Sequence, residues 1–511
     1  MGARARVFAW VLAKAPLLTA FLWILGAALL PLLLPFAAKR TYIDENALLA
    51  ASADLSVRPQ DVLRGQASLS QIRGTLDRGF GEGTTSLDVV EGDFRQLGMP
   101  HSVMGLGAAR WVASGSFAAM YGGEAEAILF ASRADDHGYA YVLALLSTLV
   151  RARWLSKDVI WVVAGPGVGL EEALGPWVRR YHTPTGSSRA QHAGTIQFAV
   201  VLDFPEPQWE AIDVRVIGSE GQLPNQDLLN LVYVLSRTAR LPTNVEGFHR
   251  TRCPPRGMQS YLLCLSNFKA FALRQFRGVA TGPHGAFGEF AIDAVSLRGV
   301  AHGNAPSGTG AARDKAAVEL LEYIARSGSN LLEKLHHSLW LYSMLSAETF
   351  VGPDAYMAPL VCIFLSAVVK EISLIEALQK GAGKYRGGDA AVLALQLAIL
   401  SVQALVFAVV LLSNWTTAYF MGVANFPVVL GMGWVHSLSR GRKAAVAALV
   451  LLGCGLFLVF EGTLLEMDGA GVPLEPTPSE KRRFTKAYWL AIPLVALGAA
   501  FREESKGSKE A

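Results

Sequence analysis

Leu17–Ala38 is a run of 22 residues without a charged side chain. The hydrocarbon core of a bilayer takes about 20 apolar residues as a helix, so a run of this kind is first of all a membrane span. Residues 1–16 hold Arg4, Arg6 and Lys14 and no acid. A basic amino end stays cytosolic and sends the following segment across. Pro31 and Pro35 are expected to kink the far end. Phe36-Ala37-Ala38 is a poor processing site, so the run reads as an uncleaved signal anchor.

The chain has 511 residues, of which 52% are apolar and only 17% charged. Soluble domains carry about a quarter charged residues, and the deficit predicts further spans. They are expected at Met357–Leu374, Ala391–Leu412, Ala418–His436, Ala444–Phe460 and Ala487–Phe501, six in all with the anchor. The basic loops Lys380–Arg386 and Arg440–Lys443 suit the cytosolic side. Glu461–Lys486 then falls on the lumenal side, where Lys481-Arg482-Arg483 runs against the rule. The organisation that follows is a cytosolic tip and anchor over 1–39 and a large lumenal domain with an exit helix over 40–351. A membrane domain of about five helices covers 352–501, and a polar tail 502–511. The net charge of +4 is small and no long basic run occurs, which excludes a nucleic-acid surface. The sequon Asn414-Trp415-Thr416 sits in a tight loop at the membrane and is expected to stay unmodified.

Within the lumenal region, Ile196–Leu202 is nearly all apolar and rich in valine. Such a run suits a strand covered on both faces, and Asp203 ends it where open α/β sheets place ligands. Ala211–Ile217 alternates and reads as its neighbour. Strands are also expected at Thr84–Phe94, Ala109–Tyr121, Glu126–Ser132, Lys157–Ala164 and Glu289–Val300, the second and third forming a hairpin around Gly122-Gly123. Helices are expected at Glu45–Ser70, Gly138–Arg153, Leu170–His182, Pro224–Arg237 and Gly257–Phe276. Asp314–Leu345 reads as a long amphipathic helix leading towards the membrane, with His336 and His337 on it pointing different ways. Strands alternating with helices predict an α/β domain, a mostly parallel sheet with helices on both faces, joined to a multi-span α-helical membrane domain.

Asp135, Asp136 and His137 follow one strand, Asp203 ends another, and His284 lies in Gly282-Pro283-His284-Gly285. Carboxylates and imidazoles from strand ends can gather around zinc. The blander reading, which is favoured, makes Asp135–His137 a helix cap, Asp203 a strand end and His284 a turn residue. No Gly-x-Ser-x-Gly, Walker or His-Glu-x-x-His motif occurs. Gly165-Pro166-Gly167-Val168-Gly169 lacks dinucleotide-binding spacing, and Pro166 removes an N–H that a phosphate would need. Cys362 and Cys454 read as packing residues inside spans. Cys253 and Cys264 could form a bridge if the domain faces an oxidising lumen.

Several motifs occur in a telling order: Arg40-Thr41-Tyr42-Ile43-Asp44-Glu45-Asn46-Ala47, Trp154-Leu155-Ser156-Lys157-Asp158-Val159-Ile160, Ala193-Gly194-Thr195-Ile196-Gln197 and Gly221-Gln222-Leu223-Pro224-Asn225-Gln226-Asp227-Leu228-Leu229-Asn230-Leu231. Gly282-Pro283-His284-Gly285, Ser296-Leu297-Arg298-Gly299 and Leu332-Glu333-Lys334-Leu335-His336-His337-Ser338 follow. With them the chain resembles the Gaa-type subunits of the glycosylphosphatidylinositol (GPI) transamidase, the GPI-anchor attachment proteins. The likeness covers about residues 17–375, and the chain has fewer spans than such proteins.

The resemblance implies a lumenal domain with the fold of zinc aminopeptidases, in the endoplasmic reticulum membrane. It implies partners: a caspase-like subunit with a cysteine nucleophile among other transamidase subunits, a proprotein with a carboxyl-terminal signal, and GPI lipid. The chain would be a non-catalytic scaffold that presents lipid and proprotein. An aminopeptidase centre needs a general-base and a metal-binding glutamate after a middle strand. Here that strand ends Ala164-Gly165-Pro166-Gly167, and Glu171 and Glu172 come too late. The usual His-x-Asp is replaced by Ser132-Arg133-Ala134-Asp135-Asp136. Asp203, His284 and Asp136 remain as remnants, so neither a metal nor another cofactor is expected. The competing reading is a membrane-tethered zinc-dependent aminopeptidase or peptide-bond-forming metalloenzyme. A transporter would need paired ionisable residues inside the spans, which are lacking. Lipid would meet a groove between spans kinked by Pro359 and Pro493, near Asn414, Trp415, Tyr419 and Asn425. Trp and Tyr are equally expected there as ordinary interface anchors.

Overall fold

The computed structural model describes residues 14–48, 55–77, 85–107, 110–120, 125–183, 193–301, 310–381 and 394–424, apart from 207, 251, 252, 254, 332, 337, 339, 395, 399, 402, 406, 409, 412 and 413. Two compact units result, one of Met1–Leu34 with Pro353–Ala511 and one of Pro35–Gly352. In chain order the helices are α1 Ala15–Leu33, α2 Pro59–Asp77, α3 Ser86–Gln96, α4 His137–Leu149, α5 Leu170–His182, α6 Gln226–Thr238, α7 Met258–Arg277, α8 Gly310–Ser329, α9 Pro353–Gly381 and α10 Trp415–Ala424. The strands are β1 Lys39–Arg40, β2 His101–Gly105, β3 Trp111–Phe117, β4 Glu126–Arg133, β5 Asp158–Ala164, β6 Thr195–Asp203, β7 Ala211–Arg215, β8 Thr243–Val245, β9 Asp293–Val300, β10 Ser343–Ser346 and β11 Thr349–Val351.

The second unit is built on an eight-stranded sheet of order β2-β3-β5-β4-β6-β9-β7-β8. Its centre, β5-β4-β6-β9, is parallel, and antiparallel pairings flank it at β3 and β7. Period-two alternation sends Phe130, Phe198, Val200 and Leu202 to the face covered by α4, α6 and α8. The smaller Ala127, Ala131, Ala199, Val201 and Ala294 go to the other face, under α5 and the 3-10 helical segment Pro283–Phe290. Both faces are dry, which is why the central strands read as unbroken apolar runs. At Gly138 an added Cβ would lie 2.8 Å from Cβ of Leu202, so glycine lets the first turn of α4 rest on the end of β6.

Five sequence expectations depart from the structure here. Thr84–Phe94 is not a strand: α3 starts behind Thr85, whose hydroxyl accepts from the Asp88 amide while Asp88 accepts from the Thr85 amide, a reciprocal capping box. The adjacent valines Val89 and Val90 both face the core of a helix instead of alternating on a strand. β3 and β4 do not form a hairpin, because β5 inserts between them, antiparallel to β3 and parallel to β4. β7 is not next to β6, since β9 lies between them. The helix expected over 314–345 ends at Ser329, where Ser156 donates to the Ser329 carbonyl and exchanges a side-chain hydrogen bond with its hydroxyl. His336 is therefore off any helix and exposed, and His337 lies outside the described residues. The helix read at Glu45–Ser70 is shifted to Pro59–Asp77, after a short turn at Asn46–Leu48.

After α8 the chain returns as β10 and β11. Lys39 of β1 pairs with Phe350 of β11, which makes a separate three-stranded sheet.

In the first unit α1 and α9 pack closely at Gly26, where an added Cβ would lie 2.6 Å from the Pro359 carbonyl oxygen. A small residue at such a crossing lets two apolar helices touch backbone to backbone. Among the described residues one helix, Pro353–Glu376, is long and apolar enough to cross a membrane. The spans expected at 444–460 and 487–501 lie outside the described residues, and those at 391–412 and 418–436 are described in part.

Candidate functional site

The carboxyl ends of β4, β6 and β9 bring together Arg133, Asp203 and Arg298. Asp203 and Arg298 are register partners across the β6–β9 pair, and the Asp203 carboxylate lies 3.7 Å from Arg298 Nε. Arg133 Nε donates to Asp135 Oδ1 at 2.6 Å. Burial raises the Asp203 carboxyl above its usual range, against the pull of Arg298, Arg133 and Arg215.

Asp136 stands beside this group as the N-cap of α4. Its Oδ1 accepts from the Gly138 amide at 2.9 Å and its Oδ2 from the Phe204 amide at 2.7 Å. The side chain thus pins the start of a helix to the loop after β6. Burial, followed in effect by the charge of Asp203, pushes its carboxyl up to about 7 against the two amides.

His284 belongs to a second group. It lies buried in Pro283–Phe290, with its backbone amide and its Nδ1 both on the Ser296 hydroxyl, at 3.1 and 2.9 Å. Its Nε2 is buried with no hydrogen-bond partner among the described residues. Burial lowers its pKa to about 4, and Glu246 opposes the shift only in part, so the ring is neutral near pH 7. Glu246 is the hub of this group. Its Oε1 accepts from the amides of Val216 and Ile217 at 2.7 and 3.1 Å and from the Thr281 hydroxyl at 2.6 Å. Its Oε2 lies 3.6 Å from both Arg215 and Arg274. Asp213 binds Arg215 Nε at 2.6 Å and accepts the Gly247 amide at 2.7 Å. Sequence reasoning missed Glu246, Arg215, Arg274 and Asp213. The signals available were the i, i+2 pair Asp213 and Arg215 on one strand face, and Glu246-Gly247, a turn pair in which Glu246 takes φ 52°.

Of the three remnants, Asp136 and Asp203 lie together and His284 joins Glu246. Zinc needs several free lone pairs converging on one point. Asp136 has spent both oxygens on backbone amides, and Asp203 faces guanidinium groups. Among the described residues no group of three or more His, Cys, Asp or Glu could hold a metal ion. A zinc centre does not fit these residues.

Of the candidate lipid residues, Asn414 Oδ1 accepts from the Thr416 hydroxyl at 2.7 Å and the Thr417 amide at 3.1 Å. Trp415 is fully buried and stacks on Tyr356, ring centres 4.1 Å apart. The Tyr419 hydroxyl donates to the Ala27 carbonyl at 2.8 Å. Pro359 lies inside α9 at the Gly26 crossing. Asn425 and Pro493 lie outside the described residues. Cys253 and Cys264 are joined by a disulfide, the pairing that spacing alone left open.

The family model described as "Gaa1-like, GPI transamidase component" matches residues 119–384. The chain is similar to the GPI transamidase component GAA1 of Saccharomyces cerevisiae, 28% identical over 401 residues that cover 73% of this chain and 59% of that protein. It is also similar to the GPI transamidase component gaa1 of Schizosaccharomyces pombe, 25% identical over 251 residues, 45% of this chain and 39% of that protein. The chain thus spans little more than half the length of the first of these relatives and less of the second. Among solved structures it is similar to a Porphyromonas gingivalis glutaminyl cyclase, with TM-score 0.32, 10% identity and coverage of 51% of this chain and 95% of that one. A zinc aminopeptidase from Bacillus subtilis gives TM-score 0.24 at 10% identity, over 42% of this chain and 48% of that one. At these scores neither structure carries an argument.

Proposed function

The chain belongs to the Gaa1-like family of GPI transamidase components, and on that premise we propose that it is a non-catalytic subunit. It scaffolds a caspase-like catalytic subunit and presents GPI lipid and proprotein for anchor attachment. Its larger unit stands in the lumen of the endoplasmic reticulum on a multi-pass membrane domain. The observation that carries the non-catalytic reading is the pairing of Asp203 with Arg298, beside an Asp136 whose oxygens both hold backbone amides. That arrangement supports a structural knot where a hydrolase would keep a metal and a free base. The Cys253–Cys264 bridge supports an oxidising compartment.

The test is depletion of the protein in its own cells, with surface staining for GPI-anchored proteins and a blot for their precursors. Loss of anchored proteins with accumulation of uncleaved precursors is expected. Normal anchoring would overturn the proposal. Re-expression of an Asp203→Ala, His284→Ala double variant should restore anchoring if the variant accumulates to normal levels.

A further inference from the structure

Helix α7 presents a face that the rest of its unit, among the described residues, does not use. Cys264, Phe268, Phe271 and Gln275 are buried. Met258 and Leu262, four residues apart on the other side, are 71% and 54% exposed, and Leu263 is nearly half exposed. Contiguous apolar side chains in water mark a docking surface.

Three observations say what covers it. The first is chain connectivity. Tyr261 of α7 lies against Phe36, ring centres 5.5 Å apart, and Phe36 is itself exposed. Phe36 is three residues beyond the last residue of the apolar helix α1. Three residues of chain reach about 10 Å at most. Lys39 pairs with Phe350, and α9, long and apolar enough to cross a membrane, begins three residues later at Pro353. Asn267 of α7 donates to the Leu345 carbonyl of β10, in the same small sheet. Short chain links thus tie the exposed face of α7 to the end of one apolar helix, α1, and the start of another, α9. The second observation is charge. Met258–Arg277 contains no acid, Lys269 is exposed on its far half, and Arg256 is exposed just before it. The third is the Cys253–Cys264 disulfide, which fastens the amino-terminal half of the helix and holds its apolar face outward. An amphipathic helix with apolar side chains on one face, basic residues and no acids is the form that lies in a bilayer interface.

We infer that the amino-terminal half of α7, together with Phe36, is an interfacial membrane anchor. Met258, Leu262 and Leu263 enter the boundary between headgroups and acyl chains, and Arg256 and Lys269 meet anionic headgroups. The anchor restrains the larger unit at the membrane through a surface separate from its chain connections. The inference needs a membrane-spanning chain and does not depend on the transamidase reading.

The experiment uses the full chain, purified with its associated subunits, with Cys362 and Cys454 replaced by alanine. A bimane label is placed at Leu262→Cys, or as a control at Ser70→Cys on an exposed position of α2. Each protein is reconstituted in vesicles of phosphatidylcholine and phosphatidylglycerol. Nitroxide-labelled lipid should quench the label at 262 at least twofold more than the label at 70, and aqueous iodide should show the reverse order. Retention of the Cys253–Cys264 bridge on a non-reducing gel establishes that the labelled protein is folded. Iodide quenching at 262 equal to that at 70 overturns the inference, because the face then meets water. Protection from both quenchers also overturns it, because a protein then covers the face.

Discussion

The Phe204 amide donates to Asp136 Oδ2 at 2.7 Å, and through this bond one carboxylate ties the start of α4 to the chain leaving β6. The other oxygen serves the Gly138 amide. Replacing Asp136 by alanine removes a helix cap, worth about 1 kcal/mol, and leaves a buried amide unpaired, at about 1–3 kcal/mol. Asp136→Ala is therefore expected to destabilise the larger unit by about 2–4 kcal/mol, and Asp136→Asn by less because one acceptor remains. Urea unfolding of the two variants checks this. Equal stability of Asp136→Ala and wild type would mean that the carboxylate is not a fastening.

Asp203 opposite Arg298 leads to an expectation about metal. Metal analysis of the purified chain should find well under one tightly held zinc per chain, and added zinc should leave its melting temperature unchanged. Two tight ions would restore the metalloenzyme reading.

How far the sequence reveals this molecule depends on the range of the interaction that decides each feature. The unbroken apolar run of β6 and the helix Leu170–His182 are local signals, and both stand where periodicity places them. α3 was hidden because its start is a four-residue capping box, and the valine pair behind it imitates a strand. The insertion of β5 between β3 and β4, and of β9 between β6 and β7, is a choice among distant pairings that no local pattern records. The same holds for the site. Asp203 is marked by its place at the end of a strand. Arg298, which neutralises it, lies 95 residues later and is brought to it by the parallel register of β6 and β9. Glu246 carries no local mark of being a buried hub beyond the turn it shares with Gly247.

The bridge between Cys253 and Cys264 closes a short loop, with a sequence separation of 11. A native bridge of this loop size contributes about 2–3 kcal/mol. Cys253→Ser with Cys264→Ser should lower the stability of the larger unit by that amount and increase proteolysis near the start of α7. On a non-reducing gel, protein from cells should react with maleimide at these two positions only after reduction. Reaction before reduction would place the domain in a reducing compartment, against the lumenal proposal.

His284 gives a pH dependence with a definite sign. An unfolded histidine titrates near 6.5, and burial holds the folded ring to about 4. Between those values the unfolded chain binds a proton that the folded chain does not, so stability falls as pH drops from about 6.5 to about 4. Above 6.5 the group has no effect. The charged groups acting on the ring, Glu246 and Arg215, oppose one another, which leaves desolvation as the driving cause. A shift of this size corresponds to about 3 kcal/mol at full extent. His284→Gln keeps a polar group near Ser296 and does not titrate. The urea midpoint of wild type should therefore fall relative to that of His284→Gln as pH drops from 7 to 4.5, whatever the offset between them at pH 7. A constant offset across that range would show that the ring is protonated equally in both states and has ready access to water.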